Sequence, residues 1–189
     1  MVGNPIIKKC LAVGIILLFV GTCIIPAIAQ NAEKPSQPTS RGDWLYVGGS
    51  GPGNYTKIQD AINDSHDGDT VFVYSGLYTG RIVIPTAINL IGESKNTTII
   101  DTAISEYYAR ISLISSNITI SGFTIFSDEN YSKIIDNDFF PIQNITISYN
   151  IFKVAISILI EFYDCDFCTI TQNTFDTDYS SNIVLEWTS

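Results

Sequence analysis

The side chains with chemical promise gather in the second half of the chain. Three acidic pairs stand at i and i+2: Asp136/Asp138, Asp164/Asp166 and Asp176/Asp178. On an extended strand such a pair shares one face, where two carboxylates suit a Ca²⁺ ion. Asp is equally a turn residue, so the same spacing also marks bends. Eliminative cleavage of a uronate polymer pairs such an ion with an Arg or Lys base. Arg81 and Arg110 are the basic residues beside predicted strands with an outward aim. The candidate set is therefore Ca²⁺ at Asp136, Asp138, Asp176 or Asp178, with Arg81 or Arg110 as base.

Cys165 and Cys168 form a C-x-x-C. A redox-active pair of this spacing draws its reactivity from a helix N-terminus, and no helix is signalled there. Extended backbone would hold the two Cα atoms about 10 Å apart, beyond disulfide reach, whereas a turn permits a local bridge. Two buried thiols are the other reading. His66 is the single histidine, so no second imidazole joins it to bind zinc or copper.

Aromatic residues cluster at Tyr107-Tyr108, Phe139-Phe140 and Phe162-Tyr163. In a strand one member of each doublet faces outward, where it stacks on a sugar or anchors a loop. Tyr108, Tyr131 and Tyr163 are the ligand-binding candidates. Six N-x-S/T sites occur, and on an exported chain Asn54, Asn63, Asn96 and Asn130 are the glycan-acceptor candidates. Asn117 and Asn144 adjoin core Ile residues and read as turn positions.

The elements that must position these groups begin with a leader. Lys8 and Lys9 precede an almost unbroken apolar run from Cys10 to Ile25, and Ala27-Ile28-Ala29 follows. This order marks residues 1–29 as a secretory signal peptide with an A-x-A cleavage site, hence a secreted or cell-surface protein. An uncleaved anchor is the alternative, since the run approaches the length of a membrane span. Residues 30–43, rich in Pro, Ser and Gln, read as a flexible linker. A formal charge of −9 over 189 residues disfavours nucleic acid and anionic lipid as partners, and a mean hydropathy of +0.22 excludes a disordered chain.

From Trp44 onward the chain holds 25 Ile but only six Leu, a bias toward strands. One helix is signalled over residues 56–65, where Thr56 and Gln59 form a capping box and Ile58, Ala61 and Ile62 share a face. Short alternating strands follow at Val71/Val73, Ile82/Ile84, Ile88/Leu90, Ile111/Leu113, Ile118/Ile120, Ile145/Ile147 and Ile156/Ile158. Three segments superpose so that Ile120, Ile147 and Ile170 become equivalent, 27 and 23 residues apart. That period predicts a solenoid with Ile ladders inside and Asn150 over Asn173 at a bend. A sandwich shares the short strands but predicts no in-phase repeat. In this template Asp128 and Asp178 are equivalent but two coils, about 10 Å, apart, just outside the carboxyl spacing of a glycosidase.

Tyr55-Thr-Lys-Ile-Gln-Asp-Ala-Ile62, Asp67-Gly-Asp-Thr-Val-Phe-Val73 and Ile88-Asn-Leu-Ile-Gly92 resemble the opening of secreted right-handed parallel β-helix proteins of the pectin-lyase-like superfamily. The nearest likeness is to NosD-type surface repeat proteins, continued by Asn96-Thr-Thr-Ile-Ile-Asp101 and Asn117-Ile-Thr-Ile-Ser-Gly-Phe-Thr-Ile125. The resemblance covers about residues 44–189. It implies an all-β solenoid with the short helix covering the N-terminal end of the stack. It also implies lyases, hydrolases, epimerases and non-catalytic members. The Asp-Asp pair and Gly-His-Gly of the galacturonase-type members are absent. The expected function is an exported, non-catalytic scaffold binding carbohydrate or a partner, with a Ca²⁺-dependent pectate-lyase-like lyase as the alternative. Ile183-Val-Leu-Glu-Trp187 ends the chain without a cap, so end-to-end self-association, or descent from a longer solenoid, is expected too.

Overall fold

The computed structural model describes residues 42–102, 111–127, 133–154, 158–177 and 182–186; the leader and nearly all of the linker lie outside them. The first strand, β1 (Trp44–Val47), begins where the apolar alternation begins. A six-residue helix, α1 (Ile58–Asn63), follows. The chain then winds through five turns of three strands each. The first turn holds β2 (Thr70–Val73), β3 (Gly76–Thr79) and β4 (Ile82–Ile84). The second holds β5 (Asn89–Gly92), β6 (Thr98–Asp101) and β7 (Ile111–Leu113), and the third β8 (Thr119–Ser121), β9 (Thr124–Ser127) and β10 (Ile135–Asp136). A two-residue β11 (Ile142–Gln143) leads to the fourth: β12 (Thr146–Ser148), β13 (Ile151–Val154) and β14 (Ile158–Tyr163). After β15 (Cys165–Asp166) comes the fifth, with β16 (Thr169–Thr171), β17 (Thr174–Thr177) and β18 (Asn182–Glu186).

Equivalent strands of successive turns pair in parallel. The first sheet runs β1-β2-β5-β8-β12-β16, the second β3-β6-β9-β13-β17 and the third β4-β7-β10-β14-β18. This is a parallel β-solenoid, and its register is the one the repeat demands: Ile120 pairs Ile147, which pairs Ile170. The inward column extends back through Leu90 to Val71. Val71, Leu90, Ile120 and Ile147 are fully buried, whereas Ile170, on the last strand of its sheet, is half-buried. Two outward columns flank it. One runs Tyr46, Phe72, Ile91, Ser121, Ser148, Thr171, and the other Trp44, Thr70, Asn89, Thr119, Thr146, Thr169.

The bends explain much of the polar composition. Asn117, Asn144 and Phe167 stand two residues before a first-sheet strand, with φ of 59°, 55° and 56°; Gly122, Tyr149 and Gln172 follow those strands with φ of 83°, 57° and 55°. Asn and Gly tolerate this left-handed region better than other residues. Asn150 lies over Asn173 as expected. Its Nδ2 donates to Ile120 C=O at 3.0 Å and its Oδ1 accepts Phe123 N–H at 3.1 Å, while Asn173 Oδ1 accepts Asn150 N–H at 2.9 Å. Gly92 and Gly122 permit a close backbone approach, since a Cβ on either would stand 2.3 Å from the other's carbonyl oxygen.

The helix departs from expectation at its start. Its N-cap is Lys57 and no side chain caps it. Gln59 instead turns to β4, where its Oε1 accepts Val83 N–H at 2.7 Å and its Nε2 donates to Val83 C=O at 3.0 Å. β4 is the first strand of the third sheet, and its open edge offers Gln59 two backbone partners where a capping box offers one. Ile58, Ala61 and Ile62 are buried, and the helix lies against β1, β2 and β4.

Candidate functional site

Four of the sequence candidates converge on the outside of the third sheet. Register places Val83, Ser112, Asp136 and Glu161 side by side on successive strands. Asp136 and Glu161 thus point the same way from strands about 4.8 Å apart. Both are nearly covered, at 5% and 6% exposure. Lys133 is the cover. Its Nζ contacts Glu161 Oε2, lies 3.9 Å from Asp136 Oδ2 and sits 5.5 Å from the ring centroids of both Phe139 and Tyr163. Those rings are themselves 4.4 Å apart. One ammonium therefore serves two carboxyls and two aromatic faces.

A turn built around Asn137 holds the rings. Asp138 and Phe139 both adopt left-handed backbone, with φ of 46° and 64°. The fully buried Asn137 donates Nδ2 to the carbonyls of Phe140 and Tyr163 and accepts Tyr163 N–H at 3.0 Å. Arg81 reaches in from the turn before β4. It lies 3.6 Å from Asp138 Oδ2 and donates to the buried Ser112 Oγ at 2.9 Å.

The electrostatics follow from this burial. Desolvation, then the neighbouring Asp138 charge, push Asp136 up to about 6 against the pull of Lys133. Burial works to lower Lys133, but the hydrogen bond and charge of Glu161 outweigh it and hold the ammonium above its ordinary value. Near neutral pH the site holds a carboxyl poised to gain or release a proton, beside an ammonium that keeps its own.

Two expectations about this region are corrected. Asp136 and Asp138 do not share a strand face, because β10 ends at Asp136 and the chain turns; Asp136 Oδ1 instead faces Asp138 N–H at 3.4 Å. Phe139 and Phe140 do not divide between inside and outside. Both are exposed, since the left-handed turn breaks the alternation that a strand would impose. The Phe162-Tyr163 doublet does divide, with Phe162 fully buried.

The other candidates lie elsewhere. Asp176 is an exposed residue of β17, 3.9 Å from Lys153 on β13. Cys165 and Cys168 meet across a turn at Phe167, with Cα atoms 5.9 Å apart, so the chain takes the bent alternative and the sulfurs are placed to bond. Asn54 donates Nδ2 to Gly48 C=O at 2.6 Å, Asn63 accepts from Gln59, and Asn96 is exposed. Asn144 donates to Asn117 Oδ1 at 3.0 Å, a ladder on the outer rim of the turns. Tyr108, Arg110, Asp128, Asn130, Tyr131 and Asp178 lie outside the described residues. Among the described residues no three His, Cys, Asp or Glu side chains gather in a metal-binding cluster.

Sequence reasoning missed Lys133, Asn137 and Glu161. Glu161 had a signal: it is the one charge in the run Ile158-Leu-Ile-Glu-Phe-Tyr163, a mark of an outward position on an otherwise apolar strand. Fold and site together define an all-β parallel solenoid carrying an aromatic-walled ionic cluster on its outside. Comparison of the chain with protein families, curated proteins and solved structures finds no match.

Proposed function

We propose that this chain is an exported surface protein of the right-handed, pectin-lyase-like β-helix class, similar to NosD-type repeat proteins, and that it binds carbohydrate or a partner without cleaving it. The observation that carries this reading is the engagement of the cations in the candidate site. Lys133 is held by Glu161, Asp136 and two rings, and Arg81 by Asp138 and Ser112, so neither is set as a base, while Phe139 stands 70% exposed. The signal-like leader supports export, and the phased repeats support the class. A second reading, a polysaccharide-active enzyme, is favoured by one feature: Asp136, beside Glu161, has its pKa raised to about 6, so it holds a proton in mildly acidic solution and suits a general acid there. Incubation of the secreted protein with uronate and neutral polymers, with and without Ca²⁺, separates the two. Binding without new reducing ends or unsaturated product is the expected result. Catalytic product that disappears in Asp136→Asn would overturn it.

A further inference from the structure

The outer face of the first sheet is uncharged along its whole length, in a chain of net charge −9. Neither of its two outward columns, from Trp44 to Thr169 and from Tyr46 to Thr171, contains an Asp, Glu, Lys or Arg. At the β1–β2 end four aromatic side chains form a continuous patch. Trp44, Tyr46 and Phe72 are mutually 6.0–6.2 Å apart between ring centroids, and Tyr74 lies 5.2 Å from Phe72 and 6.1 Å from Tyr46. Trp44 is 56% exposed, whereas Val47 of the same strand is fully buried and Leu45 partly so. The patch is also braced. Gly49, at φ 67°, lies against the Tyr74 ring so closely that a Cβ there would approach it to 2.8 Å, and Tyr78 Oη donates to Tyr74 C=O at 2.8 Å. Beyond the rings and the intervening Ile91 and Asn89, Thr and Ser side chains repeat at the strand spacing of about 4.8 Å, with Ser148 buried and the others partly or fully exposed.

Flat rings continued by rows of hydroxyls match the two surfaces of a sugar chain, its apolar C–H faces and its hydroxyl edges. Among the described residues, carboxylates adjoin the strands that carry the rings. Asp43 precedes Trp44, and Glu93, whose carboxylate accepts from Ser75 N–H and Oγ, follows Gly92 at the end of β5. A polyanion is repelled there, and a neutral chain is not. We propose that the outer face of the first sheet is a binding site for an uncharged polysaccharide, with Trp44, Tyr46 and Phe72 as the stacking platform. This deepens the carbohydrate reading above, on which it rests, by assigning the face and the ligand's charge.

The test is affinity electrophoresis of the full secreted chain in gels containing hydroxyethyl cellulose, galactomannan or polygalacturonate. Retardation by a neutral polymer is expected, weakened about tenfold or more in Trp44→Ala/Tyr46→Ala and unchanged in Phe126→Ala, which removes an exposed ring of the second sheet. A second measurement needs no change to the platform. Trp44 and Trp187 are the two tryptophans, so in Trp187→Phe the fluorescence reports Trp44 alone and shifts to the blue on titration with cellohexaose or mannohexaose. Full retardation of the double variant, or loss confined to Phe139→Ala, overturns this site and leaves the carbohydrate reading standing. Preference for polygalacturonate overturns the assignment of charge. No retardation and no fluorescence shift with any polymer overturns both. Self-association in sedimentation that vanishes in the double variant shows the face to be an interface between copies instead, and overturns the proposal.

Discussion

Asn137 grips Tyr163 by both backbone groups: its Nδ2 donates to the Tyr163 carbonyl and its Oδ1 accepts the Tyr163 N–H at 3.0 Å. The two residues are 26 apart in sequence and one turn apart in the solenoid. A single buried amide therefore fixes the spacing of the third and fourth turns where the rings of the candidate site stand.

Asn137→Ala is expected to destabilise the chain by about 2–4 kcal/mol, because it removes three hydrogen bonds that this fully buried amide makes to the backbone of Phe140 and Tyr163. Asn137→Asp keeps the acceptor and loses the donor, so its cost falls lower once its own buried charge is protonated. Urea unfolding at mildly acidic pH measures both. Equal stability of Asn137→Ala and the parent chain would refute the grip.

The Asn150 ladder should be graded by position. Asn150 is fully buried and bonded on both sides, so Asn150→Ala is expected to cost about 2–3 kcal/mol. Asn173, on the half-exposed last turn, donates to Ile147 C=O at 2.8 Å, and its removal should cost about 1 kcal/mol. The same gradient is expected for Ile120→Ala, about 3–4 kcal/mol, against Ile170→Ala, about 1 kcal/mol. Chemical denaturation midpoints of the four variants check the order.

Asp136 gives stability a pH dependence of definite sign. Its folded pKa of about 6 lies above the usual 3.8, so the folded chain binds a proton that the unfolded chain has released between these values. The contribution is complete below about pH 4 and is lost as pH rises through about 6. The difference is on the order of 1–3 kcal/mol. Asp136→Asn removes this slope, so the variant should gain stability relative to the parent between pH 4 and 7. A parallel pair of stability curves would contradict the buried carboxyl.

Gly92 and Gly122 should tolerate no side chain. A Cβ on Gly122 meets the Gly92 carbonyl at 2.3 Å and also requires its φ of 83°, so Gly122→Ala is expected to cost about 3 kcal/mol or more. Gly53→Ala is the control. Its φ is 83° as well but nothing lies within 4 Å of the added Cβ, so backbone strain alone, about 1 kcal/mol, should remain. Thermal melts of the two variants separate crowding from strain.

The sequence by itself determined the winding. Alternating Ile at matched intervals admits one register, because a slip by one residue would turn Ile120, Ile147 and Ile170 to water at once. The Asn150–Asn173 ladder followed from the same phasing, since equivalent positions of a parallel stack must touch. Three-dimensional closure alone decided which charges meet. Arg81 comes from the first turn, Lys133 and Asp136 from the third and Glu161 from the fourth, and loops of unequal length carry no periodic mark of where they fold back. The left-handed turn at Asp138-Phe139 likewise overrode the strand alternation that local spacing suggested. Gln59 makes the same point in one side chain. Its local position fits a cap, yet the open edge of β4, brought beside it only by folding, offers two backbone partners instead of one.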